Sequence, residues 1–173
     1  MSRKGAAYIA DIIIFAVMLF LDQVSKQLIR SNLKEHESIK LIDGVFEIYH
    51  FENTGAVWGV LKGQTVFFLI ITVIISAGCI YVLLKLPADR KYSYLHPALA
   101  LVLSGAAGNL ADRVVKRSVT DFLYFSLINF PVFNVADICV VIGVFILMVL
   151  FMFIYKDEDL EFLKKNRSEK TPD

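Results

Sequence analysis

The chain has 173 residues, of which 57% are hydrophobic, and it carries a net charge of +1 and a mean hydropathy of +0.61. This charge gives no electrostatic reason to expect a nucleic-acid partner. The two cysteines, Cys79 and Cys139, lie in apolar runs and form neither a disulfide framework nor a metal-binding spacing. Average soluble domains are only about 45–50% apolar, so the long apolar runs predict a mainly α-helical membrane protein.

Four stretches are long and apolar enough to cross a membrane, which takes about 20 residues of helix. The first contains Asp11 and Asp22 and lacks the small-residue cleavage site of a signal peptide, so we expect an uncleaved helix. The third is rich in small residues, which let another helix approach closely. We therefore predict a single membrane domain over residues 1–173 with four transmembrane helices, at about 7–29, 65–84, 94–111 and 138–155.

The distribution of lysine and arginine predicts that both termini are cytoplasmic. In that orientation the inner segments, 1–10, 85–94 and 156–173, contain ten basic residues, whereas the longer outer segments, 30–64 and 113–134, contain seven. Residues 156–173 are highly charged, so we expect a solvated, partly disordered cytoplasmic tail.

The first outer segment contains a β element at about residues 38–59. Asp43 and Gly44 form a turn signal between two β-prone runs, "SIKLI" and "VFEIYHF", which predicts a hairpin. Because an isolated hairpin is marginally stable in water, we expect it to rest on the helices or the bilayer surface. Trp58 is suited to the membrane interface.

Polar residues gather near the outer ends of the predicted spans, although they are scattered along the chain. Ionisable groups in a membrane are costly, and they are candidates for a functional site. The set comprises Asp22, Lys26, Asn53, Asn109, Asp112, Arg113, Asp121, Asn134 and Asp137.

Each of these residues also has a purely structural interpretation. Asp22 and Lys26 are spaced to pair on one helix face, and Asp112 could be neutralised by its neighbour Arg113. Asn134 or Asp137 could cap the fourth helix. Asp121 could be an ordinary loop residue, and Asn53 a turn residue. The structural readings explain each residue, but they do not explain why the whole set shares one layer.

Among catalytic chemistries, a pair of carboxylates fits best. The chain has no H-E-x-x-H, G-x-S-x-G, P-loop or G-x-G-x-x-G motif, so no metal and no cofactor is expected. Two neighbouring acids tend to share one proton, so that one can activate water while the other polarises a carbonyl. Charge and position alone leave open which pair acts among Asp22, Asp112, Asp121 and Asp137.

Five short blocks in order resemble the signature blocks of lipoprotein signal peptidases, the type II signal peptidases of bacteria. They cover nearly the whole chain apart from the charged tail. Each block alone is a weak signal, but five collinear blocks on a four-span frame are specific. The blocks are "DQVSK" at 22–26, "ENTGAVWG" at 52–59, "SGAAGNLADR" at 104–113, "VTDF" at 119–122 and "FNVAD" at 133–137.

The resemblance implies an aspartic endopeptidase of the bacterial cytoplasmic membrane, with its active site near the outer leaflet. Its substrate would be a prolipoprotein whose cysteine carries diacylglycerol, and the cut would fall just before that cysteine. Asp121 and Asp137 match the catalytic pair. Substrate-binding or supporting positions match Asp22, Lys26, Asn53, Gly55, Asn109, Arg113 and Asn134. The outer hairpin and "GAVWG" would clamp the substrate.

The expected partners are the lipid-modified prolipoprotein and membrane lipids, without nucleic acid, and the chain is expected to be a monomer. Two non-enzymatic alternatives stay open. One is a small polytopic transporter or channel subunit whose acidic layer binds a cation or proton. The other is a membrane protein that binds lipidated peptide without cleaving it.

Overall fold

Four long helices form the frame of the computed structural model, which describes residues 2–55 and 64–164. They are α1 (Arg3–Asn32), α2 (Thr65–Lys85), α3 (Leu95–Lys116) and α4 (Val135–Phe153). Each is long and apolar enough to cross a membrane. The predicted fold class, four transmembrane helices with a small β element, is confirmed.

Helices α1, α3 and α4 extend past at least one end of the stretches predicted for them, whereas α4 ends at Phe153 and not at residue 155. α1 continues to Asn32, and α3 continues past Ala111 to Lys116, ending where Arg117 takes a left-handed conformation with φ of 62°. α4 begins three residues before Ile138 because Asn134 caps it. These extensions place Asp112, Arg113 and Asp137 on helix rather than in loops.

The central helix is α3, which packs against each of the other three long helices. Small residues make this possible. A side chain at Gly105 would meet the backbone of Ala136 on α4, and one at Gly108 would meet the Asp22 carboxylate on α1. Ser104, another small residue of α3, is also buried. By contrast, α2 buries none of its residues and lies at the side of the bundle.

A three-stranded antiparallel sheet covers one end of the helices. β1 (Ser38–Ile42) and β2 (Phe46–Asn53) form the predicted hairpin, whose turn uses Gly44 at a φ of 70°. The third strand, β3 (Val119–Tyr124), comes from the connection between α3 and α4 and pairs with β2. Asp121 is therefore on a strand and not in a loop. Trp58 lies outside the described residues.

The start of the predicted tail packs against the protein instead of being solvated. Residues 157–164 form a 3₁₀ turn followed by the short helix α5 (Glu161–Lys164). Lys91 pairs with Asp159 at 2.6 Å, and Phe162 packs against a buried apolar cluster that includes Leu86 and Leu95. An apolar side chain and a charge partner on the α2–α3 connection thus hold this segment. The rest of the tail lies outside the described residues.

Candidate active site

Asp121 and Asp137 are brought together from β3 and the first turn of α4. Asn134 contacts both of them. Its side-chain amide donates to Asp121 Oδ1 at 2.6 Å, and its backbone N–H donates to Asp137 Oδ2 at 3.1 Å. The second contact belongs to the capping box of α4, in which Asn134 Oδ1 in turn accepts from the Asp137 N–H at 3.0 Å. The same residue therefore starts the helix and links the two acids.

A second amide, Asn109 on α3, completes the link between the acids. Its Nδ2 donates to Asp137 Oδ1 at 2.8 Å, and its Oδ1 accepts from Asn134 Nδ2 at 3.1 Å. Amide side chains have both a donor and an acceptor, so they can bridge groups that only accept. Asn109 and Asn134 thus connect Asp121 to Asp137 through continuous hydrogen bonds.

Asn53 holds Asp121 from the other side. At the end of β2, its Nδ2 donates to Asp121 Oδ2 at 2.9 Å, while its Oδ1 accepts from the backbone N–H of Gly55 at 2.9 Å. Asn53 is therefore a turn residue whose amide is oriented toward Asp121 by the turn. Its role in the site stays a prediction. Both carboxylate oxygens of Asp121 now have a donor.

Behind the two acids lies a buried ion-pair cluster centred on Lys26, whose side chain is 0% exposed. Its ammonium group lies 2.9 Å from Asp22 Oδ2, 3.1 Å from Asp112 Oδ2 and 2.9 Å from Asn109 Oδ1. Asp22 also accepts from the backbone N–H of Ala136 at 2.9 Å. The predicted pair of Asp22 and Lys26 forms, and it ties α1 to α3 and to the first turn of α4.

Asp112 belongs to this cluster, and its expected ion pair with Arg113 does not form. Its ion pairs are with Lys26, with Arg30 at 3.6 Å and with Lys116 at 3.8 Å. Adjacent residues on a helix point in different directions, whereas residues four apart lie on one face. This geometry explains why Lys116, and not Arg113, is the partner from α3.

Arg113 lies on the side of α3 that faces α2. Its guanidinium carbon is 4.9 Å from the centre of the Phe68 ring, a cation–π contact, and its Nη1 lies 3.4 Å from the Asn109 carbonyl oxygen. Its charge interacts favourably with Asp137 and Asp121. Arg113 is therefore a cation near the two acids, held against the Phe68 ring and the Asn109 carbonyl.

The electrostatic environment keeps a proton on Asp121 near neutral pH. Burial raises the pKa of this carboxyl to about 7, and the negative charge of Asp137 acts in the same direction. The hydrogen bonds from Asn53 and Asn134 oppose the shift without cancelling it. The arrangement can thus supply one protonated and one ionised acid, which is what water activation against a peptide carbonyl needs.

Sequence reasoning missed a polar cluster on the other face of the sheet. Glu52 accepts from Ser118 Oγ at 2.6 Å and from Thr120 Oγ1 at 2.7 Å, and it contacts His50 Nε2 at 3.2 Å. Burial raises the pKa of Glu52, but these hydrogen bonds and the nearby Lys116 together lower it by more than burial raises it. The net shift of the pKa is therefore downward. Alternation along β2, which puts His50 and Glu52 on one face, was the available signal.

Metal chemistry has no support in the described part of the chain. Within residues 2–55 and 64–164, no three His, Cys, Asp or Glu side chains form a group that could hold a metal ion. The absence of a metal and of a cofactor stays a prediction.

Comparison with known proteins identifies the family. Residues 14–153 match the model of signal peptidase (SPase) II. The chain is 44% identical over 139 residues to a lipoprotein signal peptidase of Bacillus pumilus, covering 79% of this chain and 88% of that protein. It is 40% identical over 146 residues to one of Enterococcus faecalis, covering 84% and 88%. A bacterial membrane enzyme solved by the in meso method at 2.3 Å resolution superposes with a TM-score of 0.76 at 30% identity, covering 94% of both chains. The chain belongs to the signal peptidase II family.

Proposed function

We propose that this chain is a membrane aspartic endopeptidase that removes the signal peptide from prolipoproteins, cutting just before the lipid-modified cysteine. Asp121 and Asp137 are the catalytic pair. The observation that carries this assignment is the amide bridge through Asn109 and Asn134, which links these two acids by neutral donors. The other two candidates, Asp22 and Asp112, instead pair with Lys26. Family membership supports the reaction.

In this mechanism the pair enters the reaction with one proton, carried by Asp121, whose pKa is about 7. Asp137, at the amino end of α4, is ionised because the helix dipole favours a negative charge there. Asp137 takes a proton from water as the water oxygen attacks the scissile carbonyl, and Asp121 donates its proton to the developing oxyanion. When the tetrahedral intermediate collapses, the C–N bond breaks, Asp137 passes its proton to the leaving nitrogen, and Asp121 regains its own.

The supporting residues divide into two roles in this proposal. Arg113 and Asn53 border the acids and orient the peptide carbonyls, while Gly55 fixes the Asn53 amide through its N–H. Asp22 and Lys26 support the site from behind through Asn109 and the first turn of α4. The apolar surface between the helices would take the lipid chains of the substrate.

The proposed orientation places the site near the outer leaflet, with both termini cytoplasmic. The site lies where α1 and α3 end and α4 begins, at the end of the bundle covered by the sheet, whereas Arg3 and Lys4 lie at the start of α1. The excess of basic residues at that start and in the α2–α3 connection supports this orientation. The proposed partners are prolipoproteins and membrane lipids, and the proposed state is a monomer.

The test is cleavage of a lipidated prolipoprotein by purified protein in detergent. Asp121→Asn and Asp137→Asn should each abolish cleavage, because an amide can neither take nor give the proton, and both variants should fold. Asp43→Asn is the matched control, because Asp43 is 84% exposed in the hairpin turn, and this variant should cleave as fast as the wild type. Retained activity in either site variant would remove that acid from the pair. A non-catalytic binding protein would cleave nothing even as wild type.

A further inference from the structure

A cavity with several charged lining residues lies at the opposite end of the bundle from the two acids. Its volume is about 300 Å³, and it opens between the start of α1, the α2–α3 connection and the start of α3. His96 in its lining and Asn109 at the active site are thirteen residues apart on α3, which corresponds to about 20 Å of helix. The proposed cleavage mechanism uses none of its polar lining residues, which are Arg3, Lys4, Asp89, Arg90, Ser93 and His96.

The cavity is rich in cations that lack anionic partners. Within residues 2–55 and 64–164, the guanidinium groups of Arg3 and Arg90 make no ion pair. Lys4 has a cation–π contact with Tyr8, with the ammonium group 5.7 Å from the ring centre. The one acid in the lining, Asp89, uses its carboxylate to accept from the Lys91 N–H at 2.9 Å and so cap the turn that carries Arg90. Three positive charges therefore face one anchored negative charge.

A buried His–Asp pair adds a fixed polar group to the cavity. His96 Nδ1 lies 2.7 Å from Asp11 Oδ2, and both residues are more than nine-tenths buried. Asp11 Oδ1 has no hydrogen-bond partner in the described part of the chain. Such a pair between two membrane-crossing helices is costly to bury, and it marks a functional-site candidate. Because Nδ1 is held by Asp11, Nε2 is the ring nitrogen left to a ligand in the cavity.

We propose that this cavity binds the phosphate group of an anionic phospholipid headgroup. Guanidinium groups match phosphate oxygens in geometry and charge. The cavity lies where the apolar stretches of α1 and α3 begin, which is the depth at which headgroups are found. Basic residues next to a membrane-crossing helix attract anionic lipid. The site is independent of the peptidase assignment, since it shares no residue with the active site.

The experiment compares lipid retention by the full-length protein purified in an uncharged detergent. Native mass spectrometry with added phosphatidylglycerol should show lipid bound to the wild type, together with a rise in Tm. Arg3→Gln/Arg90→Gln should reduce binding by about tenfold, because two cations facing one headgroup are lost. Lys34→Gln/Lys40→Gln, which removes two exposed lysines near the sheet, should bind like the wild type. Cleavage should be unchanged in the Arg3→Gln/Arg90→Gln variant.

Comparison with other ligands and with a lysine variant identifies the source of the phosphate. Phosphatidylcholine, with the same phosphodiester and a cationic headgroup, should be retained less than phosphatidylglycerol, and inorganic phosphate should not reproduce the rise in Tm. Arg3→Lys/Arg90→Lys, which keeps the charges, should retain part of the binding and so separate charge from misfolding. Equal phosphatidylglycerol binding by the wild type and the glutamine variant would overturn the proposal. So would a response to inorganic phosphate alone, since that would assign the site to the free anion.

Discussion

At the scale of single residues, the main feature is that four acids near one site have different neighbours. Asp121 and Asp137 accept hydrogen bonds mainly from amides, whereas Asp22 and Asp112 face the buried ammonium group of Lys26. A carboxylate paired with a buried cation is held in one orientation by that ion pair. A carboxylate surrounded by neutral donors remains able to exchange a proton. The partner, and not the residue type, therefore distinguishes the two acids proposed to be catalytic from the two proposed to support them.

This difference predicts the effect of Asp112→Asn. The amide keeps the shape of the side chain but leaves Lys26 with one carboxylate fewer, so we expect a loss of stability of about 1–3 kcal/mol. Thermal unfolding in detergent measures it, and kcat for lipoprotein cleavage should stay within a few-fold of the wild type. Asp43→Asn, which breaks an exposed pair with Lys40, should change neither quantity. If Asp112→Asn abolished turnover in a folded protein, Asp112 would replace one acid of the proposed pair.

At the scale of elements, α3 positions the site because it approaches both α1 and α4 closely. Gly108 contacts the Asp22 carboxylate, which is itself held by Lys26 and by the backbone of Ala136. A larger residue there cannot be accommodated by moving a free side chain, since the carboxylate is tied on two sides. The small residue is thus required by the ion-pair cluster as well as by helix packing.

Gly108→Ala should therefore destabilise the protein by about 1–3 kcal/mol, the usual cost of overpacking, and it should lower kcat by displacing Asn109 and α4. The matched control is Gly78→Ala on α2, where a Cβ would meet nothing within 4 Å. This control should be neutral or slightly stabilising, because alanine favours helix over glycine. Unfolding curves and cleavage rates of the two variants test the contrast. Equal Tm values for both would contradict the packing argument.

At the scale of the whole molecule, local sequence patterns predicted the helices but could not predict the pairing of strands that are far apart in sequence. Twenty-residue apolar stretches and a D-G turn are signals within one segment, so α1 to α4 and the hairpin could be read directly. The pairing of β3 with β2 joins segments about 70 residues apart and leaves no local pattern. Because that pairing brings Asn53 to Asp121, the proposed catalytic pair could be named only from the resemblance, and the Glu52 cluster could not be named at all.

The same long-range assembly determines how the enzyme should respond to pH. Burial and the charge of Asp137 hold the pKa of Asp121 at about 7, above its ordinary value of 3.8. The protonated form needed for catalysis is then present below about pH 7 and is lost above it. We expect kcat/KM to fall about tenfold per pH unit on the alkaline side, as one ionisation requires. Because the unfolded chain releases this proton at lower pH than the folded one, the stability contributed by Asp121 should also decline between about pH 4 and 7.

Two measurements test this predicted pH dependence of activity and stability. The pH profile of kcat/KM should bend downward near pH 7 in the wild type and in the control Asp43→Asn, whose exposed acid plays no part. Asp121→Asn has no titratable proton at this position. The Tm of this variant should therefore rise relative to that of the wild type as the pH increases from 4 to 7. A rate that stayed constant up to pH 9 together with a Tm difference independent of pH would mean that Asp121 is ionised throughout. The proton needed by the oxyanion would then have to come from Asp137, and the roles of the two acids would be exchanged.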